Sequence, residues 1–294
     1  TSSTRRQPVR SSDGTTARTE YAPLSVRQFD ENDTDVDSFA FDTPIVVASD
    51  GQDRLVRIDE ITRTNDDGTP AASAQTWSTT LAYRTDGLLT QVVDAQQNVR
   101  TYAYDGLGRR TVLRDPNLGV VTRTYDAAGN VRTRTDALGR ETRYTYDGAN
   151  RTLSIDYRDE AEPWSPGFDY DPTQPLDPDN RPDIAFFYDA PAGPLDLGDR
   201  TTEMAEGVAA QLAYTLHLAG ETHFSFDQRG RMQWRNEQRT DAATGAPTAF
   251  TTRFRYDRFD RITRLTYPDG DYVDYTYNAA TTLATVRGGA ARTA

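Results

Sequence analysis

The sequence predicts an all-β fold built from tandem hairpins, and three observations predict it. First, tyrosine returns every 21 residues, at Tyr83, Tyr104, Tyr125 and Tyr146. A fixed period of this length marks a repeat architecture. Second, two further columns keep the same step: Gly87, Gly108, Gly129 and Asn150 in one, Asp94, Asp115 and Asp136 in the other. Third, no segment sustains a helical period, and Thr201 to Leu212 is the one place where a short helix is expected.

Each part of the repeat has a local reason. Glu141 to Tyr146 alternates and is rich in Thr and Tyr, which suits a strand. Asp147-Gly-Ala-Asn150 then carries turn residues: Asp bonds its own backbone two residues on, and Gly or Asn tolerates positive φ. Arg151 to Tyr157 reads as the return strand, and the Asp94/Asp115/Asp136 column opens the next reversal. Two strands bury no face alone, so neighbouring repeats have to stack. Gly129 is expected at positive φ. The column tyrosines are expected to form a ladder, with Arg109 and Arg151 laying their guanidinium planes between rings.

Composition narrows the function. The chain has 294 residues, 36% hydrophobic, with 16 Tyr against 11 Phe, and a mean hydropathy of -0.76. Such an interior leans on Tyr, Arg and Thr. All 33 basic residues are Arg, and the net charge of -12 without a basic stripe argues against nucleic acid. No hydrophobic run is long enough for a membrane span. There is no Cys. His217 and His223 lack a third ligand for zinc and read as ordinary strand residues. Asp33, Asp35 and Asp37, or Asp177, Asp179 and Asp183, are weak calcium candidates without the Gly and distal Glu of an EF-hand loop; no cofactor is otherwise expected. No nucleophile, Walker or Rossmann motif is present, and the Tyr-Asp column recurs in every repeat, so it reads as structural rather than catalytic.

The repeats carry a resemblance. Tyr104-Asp-Gly-Leu-Gly-Arg109, Tyr125-Asp-Ala-Ala-Gly-Asn130 and Tyr146-Asp-Gly-Ala-Asn-Arg151, with the half-repeat Asp136-Ala-Leu-Gly-Arg140, resemble the YD repeats of the Rhs family. That family includes bacterial Rhs toxins, the shell component of insecticidal toxin complexes, and teneurins. The resemblance covers residues 45–280, strictly over 83–151. It implies a long curved antiparallel sheet, in the family part of a spiral shell around a cargo domain. It also implies a non-enzymatic scaffold that is secreted or at the cell surface. Its expected partners are neighbouring repeats of a larger polypeptide, other copies, or an encapsulated toxin domain. The D-P-x-G-L-type border motif of the toxins is absent.

The expected organisation has five parts. Residues 1–43 form a polar, acidic arm and 44–158 the regular YD/Rhs array. Residues 159–211, with more than half of the 15 prolines, form an irregular insertion. Residues 212–280 carry further repeats, through Phe226-Asp-Gln-Arg-Gly-Arg231 and Tyr256-Asp-Arg-Phe-Asp-Arg261, and 281–294 form a small-residue tail. The rival function is an extracellular carbohydrate-binding or adhesin module that takes a surface glycan on exposed aromatics. Among Trp77, Trp164 and Trp234, the ligand contact expected is Trp164, within Glu162-Pro-Trp-Ser-Pro166.

Overall fold

A computed structural model describes residues 5–10, 16–65, 69–158, 182–198, 201–217, 219–240 and 247–290. The chain runs through β1 (Arg5–Arg10), β2 (Thr16–Ala22), β3 (Ser25–Phe29), α1 (Glu31–Thr34), β4 (Ile45–Ser49), β5 (Leu55–Thr64) and β6 (Pro70–Tyr83). The strict repeats supply β7 (Leu89–Val93), β8 (Val99–Tyr104), β9 (Arg110–Asp115), β10 (Gly119–Tyr125), β11 (Val131–Thr135), β12 (Glu141–Tyr146) and β13 (Thr152–Arg158). Then come β14 (Ile184–Tyr188), β15 (Pro194–Asp196), β16 (Thr202–Met204), β17 (Leu212–His217), β18 (Gly220–Phe226) and β19 (Met232–Thr240). Last are β20 (Pro247–Tyr256), β21 (Ile262–Thr266), β22 (Tyr272–Tyr277) and β23 (Leu283–Gly289).

The described strands form one antiparallel sheet of 21 strands that is not closed, plus the small pair β15–β16. Pairing follows chain order: from β1 to β10 each strand pairs with its neighbour in sequence, and α1 does not interrupt it, since β3 meets β4 directly. The same holds from β12 to β14 and from β17 to β23, with β14 passing directly to β17. Such a meander needs only short connections, because antiparallel neighbours join by tight turns. The backbone divides into two compact units, residues 1–124 with 135–138, and residues 125–134 with 139–294.

Three expectations change on the structure. The helix falls at Glu31–Thr34, not between Thr201 and Leu212. Asp30 caps it: its Oδ1 accepts the Asn32 and Asp33 N–H groups at 2.8 and 3.0 Å, and Asp33 Oδ2 accepts the Asp30 N–H at 2.9 Å. That reciprocal box stabilises one turn of helix without any apolar period. The segment expected to be a helix instead places Thr202–Met204 in a strand paired with Pro194–Asp196. Thirdly, strands extend beyond the array at both ends, as β1–β3 within the expected arm and β23 within the expected tail.

The best-formed core lies in the second unit. Leu195, Leu197, Ala205, Val208, Ala213 and Trp234 are buried together, with Tyr214 and Phe226 packed against them. Leu195 and Leu197 stand two apart and so share a face of their extended segment. The β15–β16 hairpin and the following turn cap the sheet there. Glu206 N–H donates to Ser225 Oγ at 3.0 Å, its carbonyl accepts the Phe226 N–H at 2.8 Å, and Arg253 reaches Glu203 at 2.8 Å. Gly207 (φ +64) makes the approach possible, since a Cβ there would lie 2.5 Å from the Phe226 carbonyl oxygen.

Candidate functional site

The recurring structural element is the turn after each Tyr-position residue. In Asp105 to Arg109 the Asp105 N–H donates to the Arg109 carbonyl at 3.0 Å and the Gly108 N–H to the Asp105 carbonyl at 3.1 Å. Asp105 Oδ1 accepts the Leu107 and Arg109 N–H groups, at 3.0 and 2.9 Å, and Oδ2 accepts Arg109 Nε at 2.7 Å. One carboxylate thus satisfies two backbone donors and an arginine. Asp50/Arg54, Asp147/Arg151, Asp227/Arg231 and Asp257/Arg261 repeat the side-chain pairing. Asp94/Asn98 and Asp126/Asn130 use an asparagine amide instead.

The fourth turn residue is left-handed in every case. Gly87, Gly108 and Gly129 stand at φ +89, +79 and +94, and Asn150 at +62. Asp53, Gln97, Asp260 and Thr281 hold equivalent places at +62, +66, +64 and +65. A type I turn followed by such a residue makes a three-residue hairpin with a bulge. The ladder accordingly slips one residue at Tyr83, Tyr104, Tyr146, Phe226, Tyr256 and Tyr277; it slips at Tyr188 too, where β14 meets β17 across a longer connection rather than a hairpin turn.

The bulge aims each tyrosine at the preceding repeat. Tyr83 donates its hydroxyl to the Leu55 carbonyl and Tyr104 to Leu89, both at 2.7 Å. Tyr146 donates to Val131 and Tyr188 to Thr152 at 2.9 Å, and Tyr277 to Ile262 at 2.8 Å. The four column tyrosines, Tyr83, Tyr104, Tyr125 and Tyr146, are half-buried. Turn arginines lie over rings of the following repeat: Arg54 over Tyr83 at 5.0 Å, Arg151 over Tyr188 at 4.4 Å, Arg231 over Tyr256 at 4.8 Å and Arg261 over Tyr277 at 4.2 Å. The phenols meet strand carbonyls, because the bulge points the ring across the ladder.

Turns also join to turns. Arg231 reaches Asp260 Oδ1 at 2.7 Å, and Arg229 reaches Asp260 Oδ2 at 2.8 Å. Arg151 forks onto Asp189 at 3.2 and 2.8 Å, and Asn130 donates to Asn150 Oδ1 at 2.8 Å. The Asp94/Asp115/Asp136 column, eleven residues after the tyrosines, behaves alike. Asp94 accepts the Gln96 and Asn98 N–H groups, both at 2.9 Å. Asp115, buried, accepts Asn117 and Leu118 N–H and the Arg100 guanidinium, and Asp136 accepts the Leu138 N–H at 2.9 Å.

Electrostatics follow the hydrogen bonds. The Arg109 and Arg151 N–H groups hold Asp105 and Asp147 below the usual carboxylate range, and the Arg231 side chain does the same for Asp227. Asn98 and Asn130 amides lower Asp94 and Asp126, and the Leu118 N–H lowers Asp115. A general acid or base near neutral pH needs the opposite shift. Burial raises the Tyr146, Tyr188 and Tyr256 phenols. The one buried histidine is His223. It stacks on Tyr214 at 5.2 Å, holds Glu221 Oε2 at 2.8 Å, and is pushed below its ordinary value by burial against the pull of Glu221.

Other sequence candidates sit as follows. Trp164, Asp177 and Asp179 lie outside the described residues. Trp234 is 2% exposed inside the capped core, and half-buried Trp77 donates to Thr62 Oγ1 at 3.3 Å. Asp33 is bound to Thr43 at 2.6 Å besides its cap, and Asp183 accepts the Tyr157 N–H at 2.6 Å. Among the described residues no group of three His, Cys, Asp or Glu is placed to hold a metal. No helix among them is long and apolar enough to cross a membrane. The acceptor carbonyls and the cap have no sequence column. The spacing Asp-x-x-Gly/Asn/Asp-Arg does point to the turn staples.

Comparison with known proteins gives the following. The family model RHS Repeat matches residues 83–119 and 125–161. No curated protein matches the chain by sequence. The crystal structure of TcdB2-TccC3 superposes with a TM-score of 0.74 at 19% identity, over 98% of this chain and 15% of that one. The crystal structure of TcdB2-TccC3-Cdc42 gives 0.72 at 17%, over 98% and 14%. The Photorhabdus luminescens Tc holotoxin pore gives 0.72 at 19%, over 97% and 14%. At these identities the likeness is one of fold, and the chain spans about 15% of the length of the structures it matches.

Proposed function

Since this chain belongs to the Rhs/YD-repeat family, we propose that it is a wall segment of an Rhs-type shell, structural and non-catalytic. One observation carries the reading. Tyr83, Tyr104, Tyr146, Tyr188 and Tyr277 each donate to the strand of the repeat before, so these five positions serve as joints between neighbours rather than as a site. The lowered turn aspartates support it, because they serve backbone donors and arginines and stay ionised. On this reading the wall belongs to a longer, exported or surface-held polypeptide, and its enclosed partner is an effector domain.

The test is cryo-electron microscopy of the product of the whole reading frame. A continuous β wall around density that limited proteolysis leaves intact is the expected result. Isolated 294-residue globules joined by linkers would overturn it.

A further inference from the structure

The connection from β3 to β4, residues 30–44, departs from the short turns that join β4 through β10. Long ordered connections are where binding surfaces concentrate. This one is held by its own polar groups, beyond the box of Asp30 and Asp33 that caps α1. Thr43 Oγ1 stands 2.6 Å from both Asp33 Oδ1 and the Ala40 carbonyl. The Asp42 N–H donates to the Asp33 carbonyl at 3.0 Å, and the Ser38 and Phe41 N–H groups donate to the Asp35 and Ser38 carbonyls at 3.1 Å. Thr34 Oγ1 ties the helix to the Thr16 carbonyl of β2. All these bonds fix a loop whose apolar side chains are left in solvent: Val36 is 73% and Phe39 57% exposed, with Phe41 and Ile45 exposed beside them.

A cleft of about 470 Å³ opens between this loop and β2, β3 and β5. Phe29, Phe39, Ile45 and Ile61 give it an apolar lining, and Arg18 lies over the Phe29 ring at 4.0 Å. Arg63 also lines it, with Nε buried and without a hydrogen-bond partner among the described residues. The surroundings are acidic. Asp30 and Glu31 line the cleft, Asp35, Asp37 and Asp42 are exposed along the same loop, and residues 30–44 contain no basic residue. Asp35, Asp37 and Asp42 take no arginine among the described residues, unlike Asp105 and Asp147 in the array turns.

We propose that this cleft docks an extended peptide segment of a partner protein in which one aromatic side chain is flanked by arginine or lysine. The ring fills the apolar lining, a neighbouring main-chain carbonyl accepts from Arg63 Nε, and the flanking cations meet Asp35, Asp37 and Asp42. An aromatic anchor in a desolvated pocket carries most of the affinity of such a contact, and charges around it set approach and salt dependence. A loop already fixed by its own hydrogen bonds loses little freedom on binding. The site lies outside the repeated turns, so it stands or falls apart from the wall reading.

The probe is a phage-displayed library of random short peptides, panned at low salt against the immobilised 294-residue protein. The most enriched peptide is then resynthesised for fluorescence anisotropy. Enrichment of Phe, Tyr or Trp beside Arg or Lys is expected, with affinity that falls as salt rises. Phe39→Ser should weaken binding about ten-fold at an unchanged melting temperature, since the side chain is exposed. The triple variant Asp35→Asn, Asp37→Asn, Asp42→Asn should also weaken it and flatten the salt dependence. Leu107→Ser, which removes an exposed apolar side chain from an array turn, should bind as the wild type does. No enrichment, enrichment of acidic or purely apolar peptides, or a peptide indifferent to Phe39→Ser would each overturn the proposal. So would a peptide that Leu107→Ser weakens as much as Phe39→Ser does.

Discussion

Residues 83–157 and residues 194–254 hold together by different means. In the first stretch the buried residues are Asp115, Val121, Thr142, Ser154 and Asp156, and the repeated joints are phenol-to-carbonyl and carboxylate-to-backbone bonds. In the second, a hairpin closes over Trp234 and Leu197, and Thr251 donates to the Leu197 carbonyl at 2.6 Å. Hydrogen bonds contribute little each and depend on geometry, whereas buried apolar area contributes without direction. The difference teaches that the array is a set of small, similar, local couplings and that the cap is a conventional core placed on it.

Breaking the cap should cost most. Trp234→Ala removes the largest fully buried side chain, and a loss of about 3–5 kcal/mol is expected in urea unfolding. Amide exchange should rise in β17–β20 and stay unchanged in β7–β9. A loss below about 1 kcal/mol would mean that the cap is not the core of its unit.

Two glycines sharpen the contrast. Gly129→Val places a branched residue at φ +94 with open space around its Cβ, so backbone strain alone acts, about 1–3 kcal/mol. Gly129→Asn should be milder, since Asn150 adopts φ +62 in the same place. Gly207→Ala adds a clash with the Phe226 carbonyl and should exceed the cost of Gly129→Ala. Equal melting temperatures for the Val and Asn variants would contradict the turn assignment.

A smaller effect should change sign between two left-handed positions. Gln97→Gly relieves φ +66 and should stabilise by up to about 1 kcal/mol. Asp260→Gly relieves φ +64 but removes the acceptor of Arg229 and Arg231, so its melting temperature should fall. A rise in both would show that the staple between turns is inert.

The smallest effect is that of pH, and it separates the two stretches. His223 binds protons less readily folded than its reference value of 6.5 implies. Its contribution is therefore full above that pH and declines as pH falls from there toward the folded value. The turn aspartates lie below 3.8 when folded, so their contribution persists above that and is lost as pH falls through the folded values. Melting between pH 7.5 and 5 should fall in the wild type and stay level in His223→Phe. A fall of equal size in both would assign the effect elsewhere.

Much of the array was legible because its determinants are local. A turn of Asp-x-x-Gly-Arg needs no distant partner, so Gly87, Gly108, Gly129 and Asn150 mark their own φ. The acceptors of the phenols were not legible, since a backbone carbonyl leaves no residue preference at Leu89 or Val131. The cap was hidden for another reason. Leu195, Leu197 and Val208 sit among prolines and glycines that read as irregular chain, and their burial depends on Trp234 and Ala213 far along the sequence. The helix at Glu31–Thr34 was missed because a capping box, not periodicity, forms it.

The direction of the phenol bonds has a consequence for synthesis. In each joint the acceptor carbonyl precedes the donor: Leu89 before Tyr104, Val131 before Tyr146, Ile262 before Tyr277. A chain leaving the ribosome therefore exposes each receptor strand before the tyrosine that locks onto it. Folding can proceed as a one-way zip that needs nothing from residues not yet made, and in which each newly closed hairpin waits about one repeat length for its successor.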